Sequence, residues 1–283
     1  MKTRRLTGTE IFAILFLAGS FVFAKPYQVR ALNVAPGRIE TALKAGEERT
    51  YEFLVTNTRE EPLIVKVSVR DWSITPEGKV LIEEKEKIPD WIRMDVKELK
   101  IEPNVSKKLS FEIALPEKAE GEFRTMFYFQ ESPEETGQVG LATVIRIGSP
   151  VYVAVKGTEK IRGKITNFEI LQSTPPAKGN GNIPIKITAT FHNYGNVHLR
   201  PEITMSIKTK KGKWVKDKEG KLIEITLTKG WPVFPFSDYI IEKEWKNGLK
   251  PGKYLAIVNT MFGMLYGKEN IISQKREIIF EIK

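Results

Sequence analysis

His192 and His198 are the two histidines of this chain, and cysteine is absent. Nucleophilic catalysis needs a hydroxyl or thiol held beside a base, so these two residues limit what chemistry is open. His192 follows the apolar Phe191 on the opposite face of an alternating run, and His198 comes six residues later, after a turn. As a metal pair they lack further ligands: no Asp or Glu stands between them, and Glu202 is the nearest carboxylate in sequence. They are expected to be ordinary surface histidines. The adjacent pairs Glu60-Glu61 and Glu134-Glu135 fall in loops, whereas paired-carboxylate hydrolysis fixes its two groups across a cleft. Gly179-Asn180-Gly181-Asn182 has neither the Lys nor the Ser/Thr of a phosphate loop and opens no helix. No calcium-loop spacing occurs. These residues call for no reaction, no cofactor and no metal; they predict a non-catalytic protein that acts by binding.

The elements that would position a binding surface are strands. From Tyr27 onward apolar residues recur at every second position, and no window of helical length carries a helical stripe. Tyr51, Phe53 and Val55 form one such run, and Leu63, Val65, Val67 and Val69 another. Leu109 to Ile113, Phe123 to Phe129 and Ile145 to Val155 continue the series. Pro76-Glu77-Gly78, Glu102-Pro103-Asn104 and Gly121 punctuate it with turn chemistry. A second series runs through Ile185 to Phe191, Ile203 to Ile207, Tyr254 to Val258 and Ile278 to Ile282. Short strands spaced in this way predict antiparallel sandwiches. The predicted fold is all-β, with two consecutive immunoglobulin-like sandwiches over residues 25–157 and 158–283.

Residues 1–24 differ from the rest. Lys2, Arg4 and Arg5 precede an apolar run from Ile11 to Ala24, with Val22 and Ala24 placed for cleavage before Lys25. This layout predicts a secretory signal peptide. Its apolar run is short of the about 20 residues that span a bilayer, an uncleaved anchor being the alternative. The mature chain is expected to be periplasmic or secreted, without a later transmembrane span and ending in a strand. The formal net charge of +10 becomes about +8 without residues 1–24. Acidic residues are interleaved with the basic ones, so no nucleic-acid partner is predicted; that would need a basic face with stacking aromatics. The densest basic stretch, Lys208 to Lys213 with Lys216 and Lys218, lies beside Gly212 and Gly220 as a hairpin loop would. It is open to solvent or to weak contact with an anionic envelope surface.

An ordered set of short motifs runs through the first series. It comprises Pro36-Gly37-Arg38-Ile39-Glu40, Ala45-Gly46, Thr56-Asn57, Asp71-Trp72, Pro89-Asp90-Trp91-Ile92, Ile101-Glu102-Pro103 and Gly121-Glu122-Phe123-Arg124. In this order it resembles the N-terminal domain of periplasmic pilus-assembly chaperones, and the related extracytoplasmic sandwich domains of WxL-interacting cell-surface proteins. The second series, through Asn193-Tyr194-Gly195-Asn196, Val233-Phe234-Pro235 and Pro251-Gly252-Lys253-Tyr254, is similar to the Ig-like partner domain of that group. The resemblance implies donor-strand pairing, in which the last strand of the first domain covers an apolar groove of an incomplete subunit by β-augmentation. Strand 144–155 stands in that position, with Ile145, Ile147, Val151 and Val153 as the donor set. The same residues serve equally as filling for their own core. The resemblance further implies a cleft that anchors the client's terminal carboxylate. Arg38 matches its Arg, and Arg146 is what the strand offers where the family has Lys. Gly148 and Pro150 interrupt this strand, and Pro150 removes a backbone donor from its edge. The WxL-interacting proteins carry a C-terminal membrane segment, and here a free exported protein is expected.

Two functions stay open. One is a chaperone-like or assembly-accessory protein acting on surface or pilus subunits by strand pairing. The other is a structural or adhesive module recognising an envelope protein or glycan, with Trp231, Phe234 and Phe236 as loop contacts unless that loop packs its aromatics on the core.

Overall fold

The computed structural model describes residues 32–132, 145–173, 181–263 and 271–283. The signal segment 1–24, Glu134-Glu135, Gly179-Asn180 and Val144 of the expected donor strand lie outside the described residues. Regular structure among the described residues is entirely β, in strands numbered here in chain order.

The first sandwich has one sheet built from β1 (Leu32–Ala35), β3 (Glu48–Asn57), β9 (Ser106–Ala114) and β7 (Ile92–Arg93), in that spatial order. The facing sheet has the order β2 (Ile39–Leu43), β11 (Arg146–Val155), β10 (Glu122–Glu131), β4 (Leu63–Arg70), β8 (Glu98–Ile101). A small hairpin, β5 (Trp72–Ile74) with β6 (Val80–Ile82), follows β4. In β4, Leu63, Val65, Val67 and Val69 are buried while Ile64 and Lys66 are exposed, which is the two-residue repeat of a pleated strand with one wet face. The inward residues converge on Phe53, whose ring lies 5.4 Å from Phe111, 5.2 Å from Phe127 and 5.3 Å from Phe129. Burying each such side chain contributes about 1.5–3 kcal/mol, so the core holds without disulfides.

The second sandwich pairs β12 (Gly163–Gln172), β13 (Ile183–Asn193) and β16 (Asp238–Leu249) in one sheet. The other has the order β15 (Glu224–Lys229), β14 (Glu202–Thr209), β17 (Gly252–Phe262), β18 (Ile272–Ile282). Ile185, Ile187, Phe191, Ile203, Met205 and Val258 fill its core.

Alternation fails over the longest stretch at Thr125–Phe129 and Val151–Val155, in each of which five consecutive residues are buried. A sheet covered on both faces reads this way. Phe127, Phe129, Val151 and Val153 point into the first core. Met126, Tyr128 and Tyr152, on the outer face, cluster with Trp72 and with Phe234 of the second sandwich. Between the sandwiches the chain is held by short bonds. Gly121 N–H donates to Thr158 Oγ1 at 2.8 Å, Asn196 Nδ2 to Thr158 O at 2.9 Å, and Lys160 N–H to Asn196 Oδ1 at 2.7 Å. Gly195 is required beside this connection, because a Cβ there would lie 2.0 Å from Lys160 O.

Candidate functional site

β11 is bonded to β10 along Arg146–Ala154, but on its other edge β2 pairs only with Val151–Val155. Over residues 146–149 that outer edge has no partner strand among the described residues. The direction of its polar groups follows from the ladder. Glu131 N–H donates to Ile145 O at 3.1 Å and Val155 N–H to Gly121 O at 2.8 Å. Odd-numbered residues of β11 therefore bond β10, and even-numbered ones point away from it. The edge presents the N–H and C=O of Arg146 and Gly148; Pro150 has no N–H, and its C=O faces Ile39 N–H where the parallel pairing with β2 begins.

The strand runs unbroken through Gly148 and Pro150, which corrects the expectation that they interrupt it. Gly148 lies opposite Tyr128, and a Cβ on it would come within 3.1 Å of Tyr128 Cε1 and 3.2 Å of Met126 Sδ. The aromatic ring occupies the space the glycine leaves, as in other cross-strand aromatic–glycine pairs. Pro150 stands one residue before pairing with β2 begins, so its missing donor removes no ladder bond. Of the expected donor set, Val151 and Val153 are fully buried in the first core and have both backbone edges occupied. Ile147 is half-buried against the same core, and Ile145 is half-buried just before the strand. The part of β11 with an open outer edge is thus Arg146–Ser149.

Arg38 sits in the turn before β2. With Arg200, Glu202, Lys229, Met261 and Ile271 it lines a cleft of about 450 Å³ between the sandwiches. Its Nε bonds Glu40 Oε1 at 3.1 Å, while 52% of its side chain stays exposed. Arg200 reaches across from the second sandwich to the same Glu40 oxygen, and donates to Gly230 O at 2.9 Å. Glu40 is buried, and its Oε2, like the Nε of Arg200, has no partner among the described residues. Lys229 is exposed and forms no ion pair among the described residues. Three cations thus face two carboxylates, one of which is already shared between guanidiniums. Such a cleft can receive a further carboxylate by charge-assisted hydrogen bonds. Arg146 is not part of it. It lies four residues along β11 from Pro150, about 13 Å at strand rise. Its guanidinium bonds Gln130 Oε1 at 2.9 Å and lies 6.0 Å from the Tyr128 ring.

His198 corrects a second expectation, because it is fully buried rather than on the surface. Glu122 Oε2 accepts from the backbone N–H of His198 at 3.1 Å and from its ring Nδ1, joining the sandwiches. The Tyr152 ring lies 4.3 Å from the imidazole. Burial holds the Tyr152 phenol well above its ordinary value, with Arg200 opposing the shift. Burial likewise lowers Arg124, whose guanidinium covers the Phe234 ring at 4.1 Å. His192 bonds Asp238 Oδ1 through Nδ1 at 2.8 Å.

The three loop aromatics do not form one surface. Phe234 is buried at the interface, 4.9 Å from Trp72, so it is not a free contact. Trp231 is 37% exposed and leans on Gly78, whereas Phe236 is 73% exposed. Glu40, Glu122, Arg200 and Lys229 escape sequence reading because each has its significance from a partner distant in the chain. The one local signal was the pair of continuous apolar runs, Met126–Phe129 and Val151–Val155, which mark doubly covered strands.

This chain is similar to solved fimbrial chaperones. Against the class 5 fimbriae chaperone CfaA it has 13% identity and a TM-score of 0.49, covering 87% of this chain and 99% of that one. The E. coli chaperone DraB gives 13% identity and a TM-score of 0.40, over 89% and 98% of the two chains. A complex of Salmonella enterica SafA pilin with the SafB chaperone gives 13% identity and 0.40, over 90% and 98%. The likeness is one of fold. No protein-family model and no curated protein matches the chain.

Proposed function

We propose that this protein is an exported, non-catalytic chaperone or assembly accessory for subunits of envelope fibres such as pili, and that it holds them by strand pairing along Ile145–Ser149. The observation that carries the reading is the unpaired outer edge of β11 over residues 146–149. A client strand laid there would bond the outward groups of Arg146 and Gly148, which is β-augmentation of an open sheet. The basic cleft supports the same reading. Arg38 stands beside the end of this edge, and the client's terminal carboxylate would sit between Arg38 and Lys229, with Arg146 serving the strand instead. The proposed organisation is a signal peptide at 1–24, sandwiches over 25–157 and 158–283, and action outside the cytoplasm.

The test is co-expression in a periplasm with a fibre subunit of the same cell, followed by affinity purification and amide exchange. We expect a complex in which exchange slows at Arg146 and Gly148. Arg146→Pro, which removes an outward donor at an edge where proline is tolerated, and Arg38→Ala should each weaken it at least about tenfold. A complex that leaves exchange at 146–149 unchanged, or no complex with any fibre subunit, overturns the proposal.

A further inference from the structure

We propose that the end of the second sandwich remote from the first is a binding site for an acidic oligosaccharide. β14 ends there at Thr209, β15 begins at Glu224, and β16 passes to β17 through Lys250 and Pro251. Between these elements lies a cavity of about 580 Å³, within the usual range of small-ligand sites.

Lysines from separate parts of the chain line it: Lys216 and Lys218 from the loop between β14 and β15, and Lys250 from the turn before β17. None of the three forms an ion pair among the described residues. Asp217 and Glu219 line the same cavity, each with one oxygen held within its own loop, so the lysines there outnumber the carboxylates by one. Asp217 Oδ1 accepts from the N–H groups of Glu219 and Lys221, both at 2.9 Å, and Glu219 pairs with Lys221 Nζ at 3.3 Å. Trp245 and Tyr254, both half-buried, supply ring surface to the same cavity. Tyr254 is fixed from behind, stacked on Phe280 at 5.6 Å with its hydroxyl donating to Lys250 O at 2.8 Å. Lys210, Lys211 and Lys213 on the neighbouring hairpin extend the positive field outward.

The pairing of rings with cations selects the ligand. Pyranose rings lay their C–H faces on aromatic side chains, and carboxylate or sulfate groups on the sugar would meet the lysines. A bilayer surface does not enter a concave site whose rings are half-buried, so lipid headgroups are the poorer match. This site lies at the opposite end of the sandwich from the cleft and does not rest on the chaperone reading.

The full chain should be titrated with trigalacturonic acid, reading tryptophan fluorescence and calorimetric heat, with neutral maltotriose and phosphatidylglycerol–phosphatidylcholine vesicles alongside. We expect trigalacturonic acid to bind, more weakly as salt rises, and maltotriose not to. K216E/K218E changes two exposed side chains and should lower affinity at least about tenfold, with the thermal midpoint unchanged. Trp245→Ala should abolish binding, and the lysine variant covers the case in which it unfolds. Equal binding of maltotriose, binding of the vesicles alone, an unchanged K216E/K218E affinity, or no binding of trigalacturonic acid overturns the proposal.

Discussion

At Asn193 one buried side chain satisfies three backbone groups. Its Nδ2 donates to Val197 O at 2.8 Å and Val233 O at 2.9 Å, and its Oδ1 accepts from Gly195 N–H at 2.8 Å. Asn57 plays the same part in the first sandwich, bonding Glu61 O at 2.7 Å, Ile101 O at 3.1 Å and Arg59 N–H at 2.9 Å. Leaving buried backbone groups unpaired costs about 1–3 kcal/mol each. Asn193→Ala should therefore lower stability by about 2–4 kcal/mol, part of the deficit being relieved by relaxation; urea denaturation measures it. Tyr152 gives a prediction in pH. Its phenol is neutral in both states near neutrality, and burial raises its folded-state pKa. Above about pH 10, the ordinary tyrosine value, the unfolded chain releases this proton while the folded one keeps it. The unfolded state then binds fewer protons, so stability falls as pH rises. The thermal midpoint of the wild type should drop more steeply than that of Tyr152→Phe from pH 9 to 11, and parallel curves would refute the account.

β11 combines three environments in one strand. Val151–Val155 are enclosed by neighbours on both edges and both faces, Arg146–Ser149 are bonded on one edge, and Gly148 is overlaid by Tyr128. Long unpaired edges invite aggregation, and proline and charge are usual protections; Pro150 and Arg146 occupy those roles here. Substitutions should separate accordingly. Gly148→Val would push on Tyr128 and Met126 and should cost about 1–3 kcal/mol, the range for overpacked sites. Pro150→Ala, at a position whose nitrogen faces no partner, should change stability by less than about 1 kcal/mol. Equal urea midpoints for the two variants would contradict this placement. Ile147→Asp makes a poor probe of client binding, because Ile147 packs on its own core and its loss would destabilise the sandwich.

Polar and aromatic contacts tie the two sandwiches together. Glu122 with His198, Glu40 with Arg200, and Phe234 with Trp72 all cross the interface. In addition, Ile240 N–H donates to Pro76 O at 2.7 Å. Removing one member of a buried hydrogen-bonded pair leaves the other's polar group unsatisfied, at about 1–3 kcal/mol or more, whereas replacing both with apolar residues can be nearly neutral. Glu122→Leu should thus destabilise strongly and separate the calorimetric transition into two. Glu122→Leu combined with His198→Leu should restore much of the loss. Additive effects of the two changes would show that the pair does not couple the sandwiches.

Strand positions, inward faces and turns were legible in the sequence, because alternation and turn chemistry are properties of a few neighbouring residues. Leu63 to Val69 and Ile185 to Phe191 point inward as their spacing requires. Arg38 was legible as a candidate cation through its motif. Its setting was not, since the Glu40–Arg200 contact joins residues 160 apart, and only folding brings Lys229 to the same cleft. Nor could alternation tell which residues of the last strand are free. Val151, Val153 and Ile147 share one periodic face, and the neighbouring strand β2 alone decides where the open edge begins. His198 had the local features of a surface residue and became buried because a second sandwich closed over it. The chain by itself determined two sandwiches and the inward faces of their strands; tertiary packing decided how much of the edge of β11 stays open and which charges stand beside it.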